Sequence, residues 1–172
     1  MTILLIAINV IVFLLINRNK LYVDDLDSSY LCVFVRKQYY RLITSGFTHA
    51  QPAHLLCNMY SLLSIGRTME YYYGSIRFLL IYLLILVIGG AAALLSRHNG
   101  RDDYTCSIGA SGAICGLIGA YFVKVFLFYG VSSIFSIANS LVPMIIMSFM
   151  PGIDYRGHLY GFLIGGIIGF II

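Results

Sequence analysis

The chain has 172 residues, of which 60% are hydrophobic and only 10% charged, with a net charge of +4 and a mean hydropathy of +0.89. Soluble domains carry about 25% charged residues, and one of this length has too little core to hide so much apolar side chain, so the composition excludes an ordinary soluble enzyme and points to a lipid environment. No basic run is present to grip nucleic acid, and the modest positive charge suits loops beside anionic headgroups.

Six apolar blocks follow, each about 17 to 25 residues with its interfacial turns, the length that crosses a bilayer as a helix. The first runs from Thr2 to Ile16, interrupted only by Asn9; it is too long for a signal-peptide core and no small-residue cleavage site follows, so it reads as a retained span. Residues 17 to 51 are too long for a turn and mix Asp24, Asp25, Asp27, Arg36, Lys37 and Arg41 with the apolar run LCVFV, which suits a loop lying partly in the interface. The second block begins near Pro52 and ends near Gly66, with flanks able to extend it, and the third, Phe78 to Leu95, is the most uniformly apolar. A polar connector from Arg97 to Ser107, containing His98, leads to GASGAICG at Gly109 to Gly116. That motif opens the fourth block, which continues to about Tyr129 with Lys124 placed to snorkel towards a boundary. The fifth, Val131 to Met150, holds Pro143 and several serines and reads as a kinked, partly polar-faced helix. The sixth runs from about Tyr155 to Ile172. Lipid admits only helices or closed barrels, and strand alternation is absent, so the expected fold is an all-α membrane protein, a single domain over 1–172 built as a six-helix bundle.

Six spans put both termini on one side. Eight basic residues (Arg18, Lys20, Arg36, Lys37, Arg41, Arg97, Arg101, Arg156) fall on the face opposite the termini and three (Arg67, Arg77, Lys124) on the terminal face, so the positive-inside count alone places the termini outside. Cys57 and Cys115 fall within spans as small polarizable hydrophobes, whereas Cys32 and Cys106 share a face on which an oxidising environment would permit a disulfide. The four thiols have neither CxxC nor histidine spacing, so no metal set is expected. The many tyrosines, EYYYG among them, suit an interfacial aromatic belt, and His98 reads as a solvated loop residue.

Ionisable and amide side chains inside a bilayer are costly, so each needs a partner or a task. His49, His54 and Asn58 lie in HAQPAHLLCN, and His158 in YRGHLYG. Pro52 suits a first helical turn, which makes His54 and Asn58 neighbours at i and i+4 on one face. Read alone, this cluster serves equally well as hydrogen-bonded glue between helices. Gly157, Gly161, Gly165 and Gly169 recur every fourth residue, and Gly109, Gly112, Gly116 and Gly119 bare a similar surface around Ser111. Two helices stripped of side chains where they meet would bring Ser111 Oγ within reach of His158 Nε2. Peptide hydrolysis asks for that pair, since a serine hydroxyl needs an adjacent base. It also asks for donors at the oxyanion, which the Ser111 N–H, Asn58 and His54 would supply. Asp154 is read as the N-cap of the sixth helix rather than as a third catalytic member.

The three separated segments, YYRLITSGFTHAQPAHLLCNMYSLLSIGRTMEYYYG, GASGAICGLIGAY and GHLYGFLIGG, resemble the rhomboid family of intramembrane serine proteases. The resemblance maps the second-span HxxxxHxxxN pattern onto His49, His54 and Asn58, the GxSG nucleophile onto Ser111, and the sixth-span histidine with its GxxxG onto His158, Gly161 and Gly165. It implies structural roles for Arg41 and Glu70, no metal or cofactor, and a Ser–His dyad in a water-filled cavity. It also implies cytoplasmic termini, an active face on the outside of a bacterial-type cell membrane, and single-span transmembrane proteins as substrates. The orientation follows the resemblance rather than the charge count, because five of the eight opposing basic residues sit in the long first loop, offset by Asp24, Asp25 and Asp27. Tyr40 replaces the usual tryptophan before Arg41, and Cys115 stands where relatives often carry the Phe or Tyr that packs on the catalytic histidine. A non-catalytic relative that binds transmembrane clients is the main alternative, although such proteins usually lack the serine or the histidine. A small transporter lacks the inverted repeat it would need, and a metalloprotease lacks HExxH.

Overall fold

Apolar runs in lipid can satisfy their backbone only by helical bonding. In a computed structural model that describes residues 1–99, 102–132, 135 and 153–172, helices cover five of the six expected blocks. In chain order these elements are α1 (Thr2–Asn17), the short α2 (Val23–Leu26) and α3 (Arg41–Thr44), α4 (Pro52–Tyr73), α5 (Ser75–Arg97), α6 (Ser111–Tyr129) and α7 (Tyr155–Ile171). The expected fifth span lies outside the described residues except for Val131, Ser132 and Phe135. By length and composition two described helices can cross a membrane: α5, and α6 with its 3-10 extension to Ser132. The first helix is apolar but shorter, at 16 residues.

The second long helix runs further than the sequence suggests. It continues past Gly66 to Tyr73 and stops at Gly74, whose φ of 75° turns the chain directly into α5 at Ser75. Glu70 fastens this end of the bundle, accepting from the Thr2 backbone N–H at 2.8 Å and from Ser75 Oγ at 2.5 Å, so one carboxylate joins α1, α4 and the start of α5.

The long first loop is folded rather than slack. A π-helical turn, Leu31–Val35, buries Val33 against Leu42 and Leu94. Buried Arg41 donates to Gln38 Oε1, to the carbonyls of Asp24 and Asp27, and to Asp27 Oδ1 at 2.7 to 3.0 Å. A buried guanidinium is tolerated only when its donors are met in this way. Ser28 and Ser107 then exchange backbone hydrogen bonds of 3.1 and 2.7 Å, tying the loop to the segment that enters α6.

Among the described elements, α6 packs most extensively on α7, and α5 closes the other side of the pair. Glycines make the approach that close. A Cβ at Gly161 would stand 2.1 Å from the Gly112 carbonyl oxygen, one at Gly165 1.9 Å from that of Gly116, and one at Gly169 2.5 Å from that of Ala120. The two backbones are therefore in contact along the whole stripe, as small-residue seams in membranes allow. Gly166, one residue off it, has its nearest prospective contact at 3.5 Å, on Val123. Gly165→Ala is expected to lower the thermal midpoint in detergent by an amount matching about 1–3 kcal/mol of overpacking, and Gly166→Ala to leave it unchanged or raise it slightly through helix propensity. Equal losses in both variants would rule out the seam as the locus of packing.

Candidate active site

Ser111 is the first residue of α6, and the chain reaches it through Gly109. Gly109 has a φ of 104° and donates its N–H to the Ser45 carbonyl at 2.8 Å. A Cβ there would lie 2.6 Å from His54 Cε1, 2.9 Å from His54 Nε2 and 3.7 Å from Asn58 Nδ2. Glycine is required on both counts, conformation and space. The loop that leads to Ser111 thus rests its backbone directly on the polar face of α4.

That face starts where the sequence places it, with Pro52 in the first turn and His54 and Asn58 one turn apart. Both amide protons of Asn58 are engaged: Nδ2 donates to the His54 carbonyl at 3.0 Å and to His49 Nε2 at 3.1 Å. His49 is fully buried in the connector before α4, its ring edge-on to His54 with centroids 5.0 Å apart. Burial, and then the neighbouring His54, push the His49 pKa down to about 4, so at neutral pH the ring is uncharged and Nε2 is free to accept. His49 is thereby the residue that holds Asn58.

On α7, His158 is buried and its backbone N–H donates to the Asp154 carbonyl at 3.2 Å. Asp154 is the N-cap, as expected, accepting from the Gly157 N–H at 2.8 Å. The same carboxylate accepts from Ser107 Oγ at 2.5 Å and forms an ion pair with Arg97, which is only 5% exposed. Burial raises the Asp154 carboxyl, but Arg97, Ser107 and the Gly157 N–H together outweigh that and hold it below the usual carboxylate range. Arg156 adds a bond of 2.9 Å to the Ser96 carbonyl. The end of α5, the loop before Ser111 and the start of the histidine helix therefore meet at one carboxylate. Arg97 and Ser107 were not singled out from sequence; the available signal was a guanidinium at the edge of an apolar span, which needs a partner.

Ser111 stands between two cavities. One, of about 50 Å³, is lined by Ser111, Gly112, Asp154 and His158 together with Ser45 and Ser107. The other, of about 260 Å³, is lined by Ser111, His54, Gln51, Cys106 and Asp154. Each exceeds the roughly 10–15 Å³ that one water needs, and each has polar walls. Cys115 is buried one turn below Ser111 on α6. Cys32 and Cys106 are free thiols. His98 is not merely solvated: its ring stacks on Tyr30 with centroids 4.1 Å apart, and Nδ1 lies 3.2 Å from the Asp103 carboxylate, because the first loop folds back over this connector.

Comparison with known proteins gives a consistent result. Residues 36–172 match the Rhomboid domain family. RHOMBOID-like protein 4 of Arabidopsis thaliana is 34% identical over 140 residues, covering 77% of this chain and 34% of that protein. Rhomboid protease GluP of Bacillus subtilis (strain 168) is 33% identical over 182 residues, covering 96% of this chain and 33% of that protein. Rhomboid-like protease 3 of Toxoplasma gondii is 31% identical over 147 residues, covering 81% and 54%. The chain thus spans between about a third and about half of the length of these relatives.

The His49–Asn58 bond carries a pH dependence whose sign follows from the depressed pKa. Between pH 4, near the folded value, and pH 6.5, the unfolded value, the unfolded chain binds more protons at this site, so its contribution to stability falls as pH drops through that window. The thermal midpoint should decline from pH 6.5 to pH 4 in the parent and less steeply in His49→Gln, whose side-chain oxygen can still accept from Asn58. Parallel declines would remove His49 from this role.

Proposed function

The chain belongs to the rhomboid family, and from that premise we propose that it is an intramembrane serine endopeptidase cleaving single-span transmembrane proteins through Ser111 and His158. The observation that carries this reading is the position of Ser111, which borders one cavity together with His158 and another together with His54. In the reaction proposed, His158 Nε2 takes the Ser111 proton as Oγ attacks the scissile carbonyl, then returns it to the leaving amine. Water entering through the larger cavity resolves the acyl-enzyme by the same base. No cofactor is required for these steps.

The oxyanion would be met by the Ser111 N–H, His54 and Asn58. Ser111 opens α6, and the first N–H groups of a helix have no acceptor within it, which leaves backbone donors at the reacting centre. His54 lies against the loop that leads there. Asn58 would contribute by exchanging its bond to the His54 carbonyl, a local side-chain-to-backbone bond of the weaker kind, while His49 keeps the amide aimed. The retention of Ser111, His158, His54 and Asn58 together favours catalysis over a client-binding role without chemistry. We place the protein in a bacterial cell membrane as a multi-pass protein, active face outward and termini inward.

The reading is tested with purified protein in detergent and a single-span substrate. Ser111→Ala and His158→Ala should each abolish cleavage at unchanged thermal midpoint, a fluorophosphonate should label Ser111 in the parent, and EDTA should have no effect. Cleavage by Ser111→Ala at the parental rate would sink the proposal.

The oxyanion assignment needs its own measurement. Asn58→Ala and His54→Ala should lower kcat by roughly 10- to 1,000-fold with little change in KM, since such donors act mainly in the transition state. If both variants instead lose thermal stability in step with activity, the α4 cluster is structural.

A further inference from the structure

At the end of the bundle opposite Ser111, the C-terminal ends of α4, α6 and α7 and the first turn of α5 enclose a cavity of about 460 Å³. Two cations line it, Arg77 and Lys124, with Tyr72, Tyr73, Tyr121 and Tyr129. Among the described residues neither cation has a carboxylate partner. Glu70, the acid nearest in sequence, is engaged elsewhere by Thr2 and Ser75. The Lys124 ammonium instead sits over the Tyr73 ring, 5.8 Å from its centroid. The Tyr73 hydroxyl is shut off from solvent and has no hydrogen-bond partner among the described residues.

Two positive charges on the wall of one cavity, Arg77 exposed and Lys124 half-buried, suit an anion with several acceptor oxygens at the membrane face. Phosphate provides both the charge and the acceptors. The remaining walls, from Val125, Phe128 and Ile172, are apolar and suit acyl chain rather than water. Phe128 and Tyr129 are also strongly exposed on the outer surface, as residues facing lipid or its interface are.

We propose that the Arg77–Lys124–Tyr73 cavity binds the phosphate group of an anionic phospholipid at the membrane face opposite the Ser111 site. Basic pockets between spanning helices are suited to such headgroups, and each basic side chain near an anionic surface contributes a modest, additive attraction. Arg77 and Lys124 hold the phosphate oxygens from two sides, with the Tyr73 ring beneath the Lys124 ammonium. The site is remote from the proposed catalytic residues and its occupancy does not depend on protease activity.

The test is native mass spectrometry of the full chain released from detergent, titrated with phosphatidylglycerol or with phosphatidylcholine. Phosphatidylglycerol should be retained and phosphatidylcholine should not. Arg77→Gln and Lys124→Gln should each weaken retention by about fivefold and the pair by about 25-fold, with lipid-free thermal midpoints unchanged. Excess inorganic phosphate identifies the source: lipid that stays bound assigns the site to the bilayer, and lipid displaced by phosphate assigns the same phosphate chemistry to a soluble compound. Equal retention of the two lipids, or undiminished retention by the double variant, would overturn the proposal.

Discussion

The backbone contact between α6 and α7 is the constraint on which the rest of the structure depends. A prospective Cβ on Gly161 or Gly165 falls within 2.1 Å of a carbonyl oxygen of the opposite helix, so the two backbones meet with no room for a side chain between them. This fixes more than distance. The glycines engage successive carbonyls, of Gly112, Gly116 and Ala120, so the helices can slide past one another only by whole steps of the stripe. Ser111 and His158, 47 residues apart in sequence, are held at one end of that register and border the same small cavity. In lipid there is no hydrophobic force to press helices together, and close packing of small residues is what remains.

Charge then fixes the ends that packing leaves loose. Three ionic groups, Arg41 buried and Glu70 and Asp154 half-buried, join segments that are distant in sequence: Arg41 gathers the first loop, Glu70 joins α1, α4 and α5, and Asp154 joins α5, the Ser107 loop and α7. A buried pair is weak evidence of net stability, because desolvation offsets most of its attraction. What such a pair does supply is specificity, since breaking one leaves a charge uncompensated. The carboxylate of Asp154 illustrates this: moving α7 by one turn would strand Arg97 and break the bond from Ser107 together.

Much of this was legible in the sequence because it is local or periodic. Pro52 marks the start of α4, the i, i+4 spacing puts His54 and Asn58 on one face, the four-residue glycine repeat foretells the seam, and Asp154 four residues before His158 reads correctly as a cap. The misses are long-range. Nothing near Arg97 in the chain indicates Asp154, and nothing near Ser28 indicates Ser107; both pairings follow from how the loops fold over the helix ends. His98 is exposed, as a loop residue should be, but its stacking on Tyr30 is long-range for the same reason, since Tyr30 reaches it only through the folded first loop. The extension of α4 beyond Gly66, which its flanks allow, reaches Tyr73 through Arg67 and Glu70, since a helix end at an interface tolerates charges that find partners there.

The two polar regions at opposite ends of the bundle answer one physical demand in different ways. At the Ser111 end the donors are largely paired with one another: His49 with Asn58, and Asp154 with Ser107, Arg97 and the Gly157 N–H. Such mutual satisfaction keeps donors aimed, which is what preorganisation would require in the proposed reaction. In that proposal Asn58 exchanges its bond to the His54 carbonyl, since a free amide in that setting would be costly. At the other end Arg77, Lys124 and Tyr73 have no such partners among the described residues. Where the protein supplies both partners, as at the Ser111 end, the polar groups are held in place from within; where it supplies only donors, the proposed acceptor comes from outside.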